Sequence, residues 1–125
     1  MSKLFLTFGA VFGALSVALG AFASHALQNK LTAKALDIWE TGTKYQMYHA
    51  LALILVALLT IKLETTSTAL MIAGFAFILG IVLFSGSLYT LSLSGIKLLG
   101  AITPIGGVAF LIGWSCLIIT AWGIE

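Results

Sequence analysis

The sequence predicts an all-α membrane protein, with four transmembrane helices in an up-down bundle and a short interfacial amphipathic helix between the first and second spans. Two observations predict this class. Of the 125 residues, 61% are hydrophobic and only 8% are charged, whereas about a quarter of the residues of a soluble domain are charged. The six basic and four acidic residues also leave four charge-free runs, each near or above the roughly 20 residues that cross a bilayer as a helix.

These runs predict one integral membrane domain over residues 1–125, with every span helical. A backbone amide in hydrocarbon must bond within its own segment, and four segments are too few to close a β-barrel. The expected spans are about 4–27, 45–61, 68–91 and 104–122. The fourth has the clearest start, because Thr103 is a suitable N-cap and Pro104 suits the first helical turn.

The connection between the first and second spans is the longest, at about sixteen residues. Residues at spacings of four and three form a stripe along it, and Trp39 lies beside this stripe. We therefore expect a short amphipathic helix at the interface with Trp39 as its anchor, the alternative being a polar hairpin loop. The stripe consists of Leu31, Ala35, Ile38, Gly42 and Tyr45.

Lysine distribution predicts the orientation of the spans. Two lysines fall on the side of the termini, Lys3 and Lys62, and four on the opposite side, Lys30, Lys34, Lys44 and Lys97. Because positive loops stay in the cytoplasm, we expect a multi-pass protein of the cell membrane with both termini outside.

Small residues predict which helix faces pack, since helices in lipid associate through close backbone approach. Glycines recur at helical spacing in three of the spans, whereas the second span has no such stripe. The glycines concerned are Gly9, Gly13, Gly20, Gly80, Gly106 and Gly113. We expect spans one, three and four to pack closely in a left-handed bundle, although the same stripes would also suit an interface between copies of the chain.

Polar side chains within the spans gather at the end of the bundle near the first and third connections. The candidate binding residues are His25, Tyr45, Gln46, His49, Ser85 and Tyr89. Polar groups in a membrane are costly and often functional, so one hypothesis pairs His25 with His49 around a quinone, haem or small solute. The other hypothesis, which we favour, is that both imidazoles tie helices together through hydrogen bonds.

Several function classes are disfavoured by what the chain lacks. It has no arginine and a net charge of only +2, which argues against a nucleic-acid partner. Two histidines are too few for a closed zinc site, so we expect no metal and no cofactor; a site completed by Asp37 or Glu40 stays a minor alternative. The lone Cys116 suits packing. Because no nucleophile lies beside a base in sequence and no span holds paired carboxylates, we expect no enzyme.

Short motifs spread over nearly the whole chain carry a family resemblance. They are GAF at 20–22, HAL at 25–27, Trp39, YQMYHALAL at 45–53, FSGSLY at 84–89, LGAITPIGG at 99–107 and GW at 113–114. On these motifs the chain resembles the small membrane proteins classed as domain of unknown function 423, which include bacterial YgdD-like proteins and eukaryotic transmembrane protein 256. One departure is Ala23-Ser24, where the family typically reads Gly-Ala.

The resemblance implies a multi-span protein of an inner or plasma membrane and brings no established activity. The sequence therefore predicts an integral membrane protein of unknown biochemical activity. We expect a non-enzymatic bundle in the lipid bilayer that packs with itself or within a larger membrane complex. The alternative is a binding protein or conduit for a small ligand at a polar pocket around His25 and His49.

Overall fold

Four long helices make up the computed structural model, which describes residues 1–64 and 67–124. Each is long and apolar enough to cross a membrane, and consecutive helices run in opposite directions. Their bounds are α1 (Ser2–Leu27), α2 (Ala33–Lys62), α3 (Thr68–Ser94) and α4 (Lys97–Trp122). The described residues contain no strand. The predicted class, an all-α protein with four membrane-spanning helices, is confirmed.

The second helix is longer than predicted. The segment expected to form a separate interfacial helix is helical, but it continues into the second span as one helix of 30 residues. Thr32 caps its start, accepting a hydrogen bond from the Ala35 amide at 3.1 Å, and no proline interrupts it afterwards. At 1.5 Å per residue α2 is about 45 Å long. Because the hydrocarbon layer is about 30 Å thick, the charged first turns of α2 extend into the headgroup region.

Trp39 links helices instead of anchoring one to the interface. Its side chain is 3% exposed, and its indole N–H donates to the Leu19 carbonyl of α1 at 3.0 Å. Its ring also lies 4.8 Å from the ring of Tyr89 in α3. Because α2 begins so early, the end of α1 lies beside these first turns of α2.

The third helix is interrupted by a π turn, Ile81–Ser85, between two α-helical segments. A π turn adds one residue to the helix and so rotates the segment that follows. The rotated segment, Gly86–Ser94, presents Tyr89 and Ser92 to α2. A second π turn, Ala23–Leu27, ends α1.

The fourth helix starts with a 3₁₀ turn, Lys97–Ala101, followed by the α-helical segment Thr103–Trp122. Pro104 lies in the first α-helical turn, as predicted. Thr103 is not the N-cap, because its side chain bonds across to α3 instead. Its hydroxyl lies 2.6 Å from the Ser87 hydroxyl.

The helices pack in chain order, α1 on α2, α2 on α3 and α3 on α4. The expectation that spans one, three and four make the close contacts is only partly met by span one: Gly9 and Gly13 face α2, whereas the ring of Phe5 lies against Gly74 and Phe75 of α3. A Cβ on Gly9 would lie 2.7 Å from Ile54 Cγ1, and one on Gly13 would lie 4.0 Å from Ala50 Cβ. A Cβ on Gly20 would have nothing within 4 Å. Alanine and hydroxyl residues of α2 also allow α1 to approach closely, although α2 has no glycine stripe.

The remaining glycines of the predicted stripes lie where α3 meets α4. A Cβ on Gly80 would overlap the ring of Phe110, and one on Gly113 would overlap the ring of Phe77. At Gly106 the obstacle is the backbone of Phe84 itself. Glycine is therefore what lets these two helices and their aromatic rings fit together.

Candidate functional site

Gln46 joins three helices from a nearly buried position, with 3% of its surface exposed. Its Nε2 donates to the Phe12 carbonyl of α1 at 2.8 Å. Its Oε1 accepts from the Tyr89 hydroxyl of α3 at 2.6 Å. Because the Phe12 carbonyl can only accept, the amide orientation is fixed by its partners. Both ends of the Gln46 amide are thus used to hold α1 and α3 against α2.

Three serine hydroxyls add bonds to the backbone of α2 from both sides. Ser85 donates to the Gly42 carbonyl at 2.7 Å, and Ser92 donates to the Ala35 carbonyl at 2.6 Å. From α1, Ser16 donates to the Thr43 carbonyl at 2.7 Å. The candidate binding residues named from the sequence include Ser85 but neither Ser16 nor Ser92. The sequence does carry a signal for Ser92. It lies seven residues, or two helical turns, after Ser85 and therefore on the same helix face.

His49 uses both ring nitrogens within the bundle. Nε2 lies 3.0 Å from the Trp114 indole nitrogen of α4, and Nδ1 lies 2.7 Å from the Tyr45 carbonyl. An indole N–H can only donate, so Nε2 is the acceptor and Nδ1 carries the proton that is donated to Tyr45. The imidazole is therefore neutral, with no free nitrogen for a ligand. The ring also stacks on Phe110, with centroids 3.5 Å apart.

His25 does not face His49, so the hypothesis of a histidine pair is wrong. Gln46, one turn from His49, bonds to Phe12 of α1, and His25 lies 13 residues further along α1. At 1.5 Å per residue, His25 lies about 20 Å along the bundle from the level of Phe12 and Gln46. The prediction placed α1's end beside Tyr45 because it started the second span there, whereas α2 begins at Ala33. His25 is exposed in the closing π turn of α1.

Tyr45 also lies outside the buried network. Its side chain is 40% exposed, and its ring centroid lies 4.7 Å from that of Phe84 in α3. The structure thus brings Gln46, Ser85 and Tyr89 together at the contact of α2 with α3. It places His49 at a separate contact with α4.

Two of the openings between the described residues lie at the end of the bundle that carries the first and third connections. The α1–α2 cleft, of about 510 Å³, lies between the end of α1 and the start of α2, and Asp37, Glu40 and Lys44 line it. The α2–α3 groove, of about 490 Å³, lies on the other side of α2, and Lys34 and Lys97 line it. Neither opening is lined by His49. The charged residues that line the groove are thus both lysines, whereas those that line the cleft are two carboxylates and one lysine.

Metal-ligating side chains do not cluster in the part of the chain that the structure describes. Over residues 1–64 and 67–124 no three of His, Cys, Asp or Glu come close enough to hold an ion. Cys116 is buried in the hydrophobic core with Phe77 and Phe110. The polar chemistry of these residues is that of helix–helix hydrogen bonding.

Four apolar helices joined by buried hydrogen bonds define a multi-span α-helical membrane protein. The chain belongs to the family described as Protein of unknown function (DUF423), whose model matches residues 19–107. This match confirms the resemblance found in the sequence motifs. The matched residues include all the candidate binding residues but not Trp114.

Curated relatives match over almost the whole chain. The UPF0382 membrane protein YwdK of Bacillus subtilis is 50% identical over 119 residues, which cover 95% of this chain and 96% of the relative. A UPF0382 membrane protein of Staphylococcus saprophyticus is 47% identical, covering 98% of this chain and 99% of the relative. One of Staphylococcus epidermidis is 49% identical, covering 94% and 93%. No solved structure matches the chain. The protein is an integral membrane protein, and these relatives are named for their location alone.

Proposed function

We propose that this chain is a non-enzymatic membrane bundle that works by packing with itself or within a larger membrane complex. One observation carries the proposal: polar groups inside the bundle are used to hold it together. Across residues 1–64 and 67–124, each buried side-chain nitrogen or oxygen has a hydrogen-bond partner. A polar network that is fully paired specifies one packing arrangement.

A catalytic or carrier site needs polar groups that are free to bind a substrate. Gln46, Tyr89 and His49 are the most chemically versatile side chains within the spans, and each is paired with another helix. Binding a ligand there would first break bonds between helices. The arrangement therefore supports a structural role for these residues.

The outer faces of the bundle are the surfaces left for partners. Helix α4 packs mainly against α3, and its opposite face exposes Leu111, Ile118 and Ile119, each more than 60% exposed, with Ser115 as the polar residue among them. Helix α1 likewise exposes Val17, at 64%. Such faces contact either lipid tails or the helices of another protein, and we propose that the α4 face contacts protein.

Cysteine crosslinking in native membranes tests this proposal. In the full chain with Cys116→Ala, we expect Leu111→Cys or Ile118→Cys to give a discrete crosslinked product under mild oxidation. Val17→Cys on the opposite side is the matched comparison, because a specific interface crosslinks from one face and random collision crosslinks from both. A photoreactive residue at the same three positions captures partners that lack a cysteine.

Two results would contradict the proposal. One is equal, weak crosslinking from all three positions. The other is capture of lipid alone by the photoreactive residue, together with a monomer in native mass spectrometry from mild detergent.

We also propose that both termini lie outside the cell. The four lysines Lys30, Lys34, Lys44 and Lys97 are all near the end of the bundle opposite the termini, and positively charged connections stay in the cytoplasm. We expect a fluorescent protein that folds only in the cytoplasm to be dark when fused after the last residue. A bright C-terminal fusion would reverse the assignment.

A further inference from the structure

The α2–α3 groove has lysines from two helices around an apolar floor. Lys34 belongs to the first turn of α2, and Lys97 begins α4 just after the end of α3. Both are exposed and line the same groove. Its floor is formed by Ala35 and Ile38 of α2 and Leu91 of α3.

The carboxylates in the first turns of α2 do not line the α2–α3 groove. Asp37 and Glu40 line the α1–α2 cleft on the other side of the helix. Glu40 is paired with Lys44, with 3.3 Å between Nζ and Oε1. Among the described residues lining the α2–α3 groove there are two ammonium groups and no carboxylate. The groove therefore favours an anion.

The position of the groove indicates which kind of anion. Because α2 is about 45 Å long and the hydrocarbon layer about 30 Å thick, its first turn lies at the level of the lipid headgroups. Ile38 lies one turn deeper than Lys34, toward the acyl chains. The groove thus presents cations at headgroup level above an apolar surface, an arrangement that fits an amphiphile better than a soluble ion.

We propose that the α2–α3 groove binds an anionic phospholipid. Its phosphate lies between Lys34 and Lys97, and the upper part of an acyl chain lies along Ile38 and Leu91. The start of α2 adds the partial positive charge of a helix N-terminus. The proposal is independent of the packing role above, because the groove lies beside α2 and α3 and not on the outer face of α4.

Lipid binding to the full-length protein in detergent tests this proposal. Dioleoylphosphatidylglycerol is titrated and its bound fraction measured by native mass spectrometry, with dioleoylphosphatidylethanolamine as the zwitterionic comparison. We expect K34Q/K97Q to weaken phosphatidylglycerol binding about tenfold, since each lysine near the surface contributes substantially to anionic lipid binding. The matched control is K3Q/K62Q, which removes the same charge from exposed lysines at the opposite end and should change binding less than twofold.

Further variants and a competition with phosphate distinguish binding in the groove from general electrostatic attraction. K34R/K97R should retain binding. Because both lysines are exposed, single variants K34E and K97E allow the test if the double variant fails to fold, as checked by circular dichroism. Equal weakening by K34Q/K97Q and K3Q/K62Q would overturn the proposal. Displacement of the lipid by an equal concentration of inorganic phosphate would overturn it too, because it would indicate a site for soluble anions.

Discussion

Gly106→Ala is expected to lower the free energy of unfolding by about 3 kcal/mol, the upper range for overpacking a well-packed site. The added Cβ would overlap the backbone nitrogen of Phe84 and lie 2.8 Å from its Cα. A flexible side chain could move away, but these atoms belong to the helical backbone of α3 at its π turn. The change therefore forces α3 and α4 apart. Titration with dodecyl sulfate in mixed micelles, followed by circular dichroism, measures the loss.

Gly107→Ala is the matched control for this prediction. It makes the same chemical change one residue away on the same helix, yet the nearest atom to its Cβ would be Phe84 Cδ2 at 4.0 Å. That distance is ordinary van der Waals contact, so we expect no loss of stability and a gain of up to about 1 kcal/mol from the higher helix propensity of alanine. Equal loss of stability in both variants would mean that contact with the Phe84 backbone is not responsible, since alanine by itself favours the helix.

The sequence predicted which glycines lie at helix contacts more reliably than which helices those glycines contact. Gly80, Gly106 and Gly113 all lie between α3 and α4, in spans that were expected to pack. Gly9 and Gly13 face α2, which has no glycine stripe. In lipid every helix is apolar on its outer face, so a stripe of small residues identifies a packing face without identifying its partner.

The limits of α2 could not be read from charge. Lys34 and Lys44 separate the apolar run from the preceding segment, and this separation predicted a span beginning near Tyr45. Charge determines which part of a helix enters hydrocarbon, whereas capping residues and prolines determine where the helix begins and ends. The cap at Thr32 and the lack of proline up to Lys62 predict the continuous helix, and this signal was overlooked.

Buried polar side chains were identified from sequence more easily than their partners. Gln46 and Ser85 are candidates from the sequence, but their acceptors at Phe12 and Gly42 are backbone carbonyls. Every residue has such a carbonyl, so no sequence pattern marks the one that is used. Trp114 is different, because an indole N–H that enters the bundle needs an acceptor, and His49 was an available one.

Trp114→Phe is expected to destabilise the bundle by about 1–2 kcal/mol, in the lower part of the roughly 1–3 kcal/mol cost of leaving one buried hydrogen-bonding group unpaired. The substitution keeps an aromatic ring but removes the indole N–H that donates to His49 Nε2 at 3.0 Å. The imidazole stays enclosed, 5% exposed and stacked on Phe110, so few other donors can reach it. The same detergent unfolding titration measures the effect.

A double-mutant cycle with His49→Phe separates the hydrogen bond from simple loss of packing. His49→Phe also leaves one partner, the Trp114 N–H, unpaired, whereas the double variant removes both polar groups and places two apolar rings in contact. We therefore expect the double variant to be more stable than the sum of the single effects indicates, by about 1 kcal/mol. Trp122→Phe, at a side chain that is 89% exposed, is the control and should have little effect. Strict additivity would mean that the bond between α2 and α4 does not stabilise the protein.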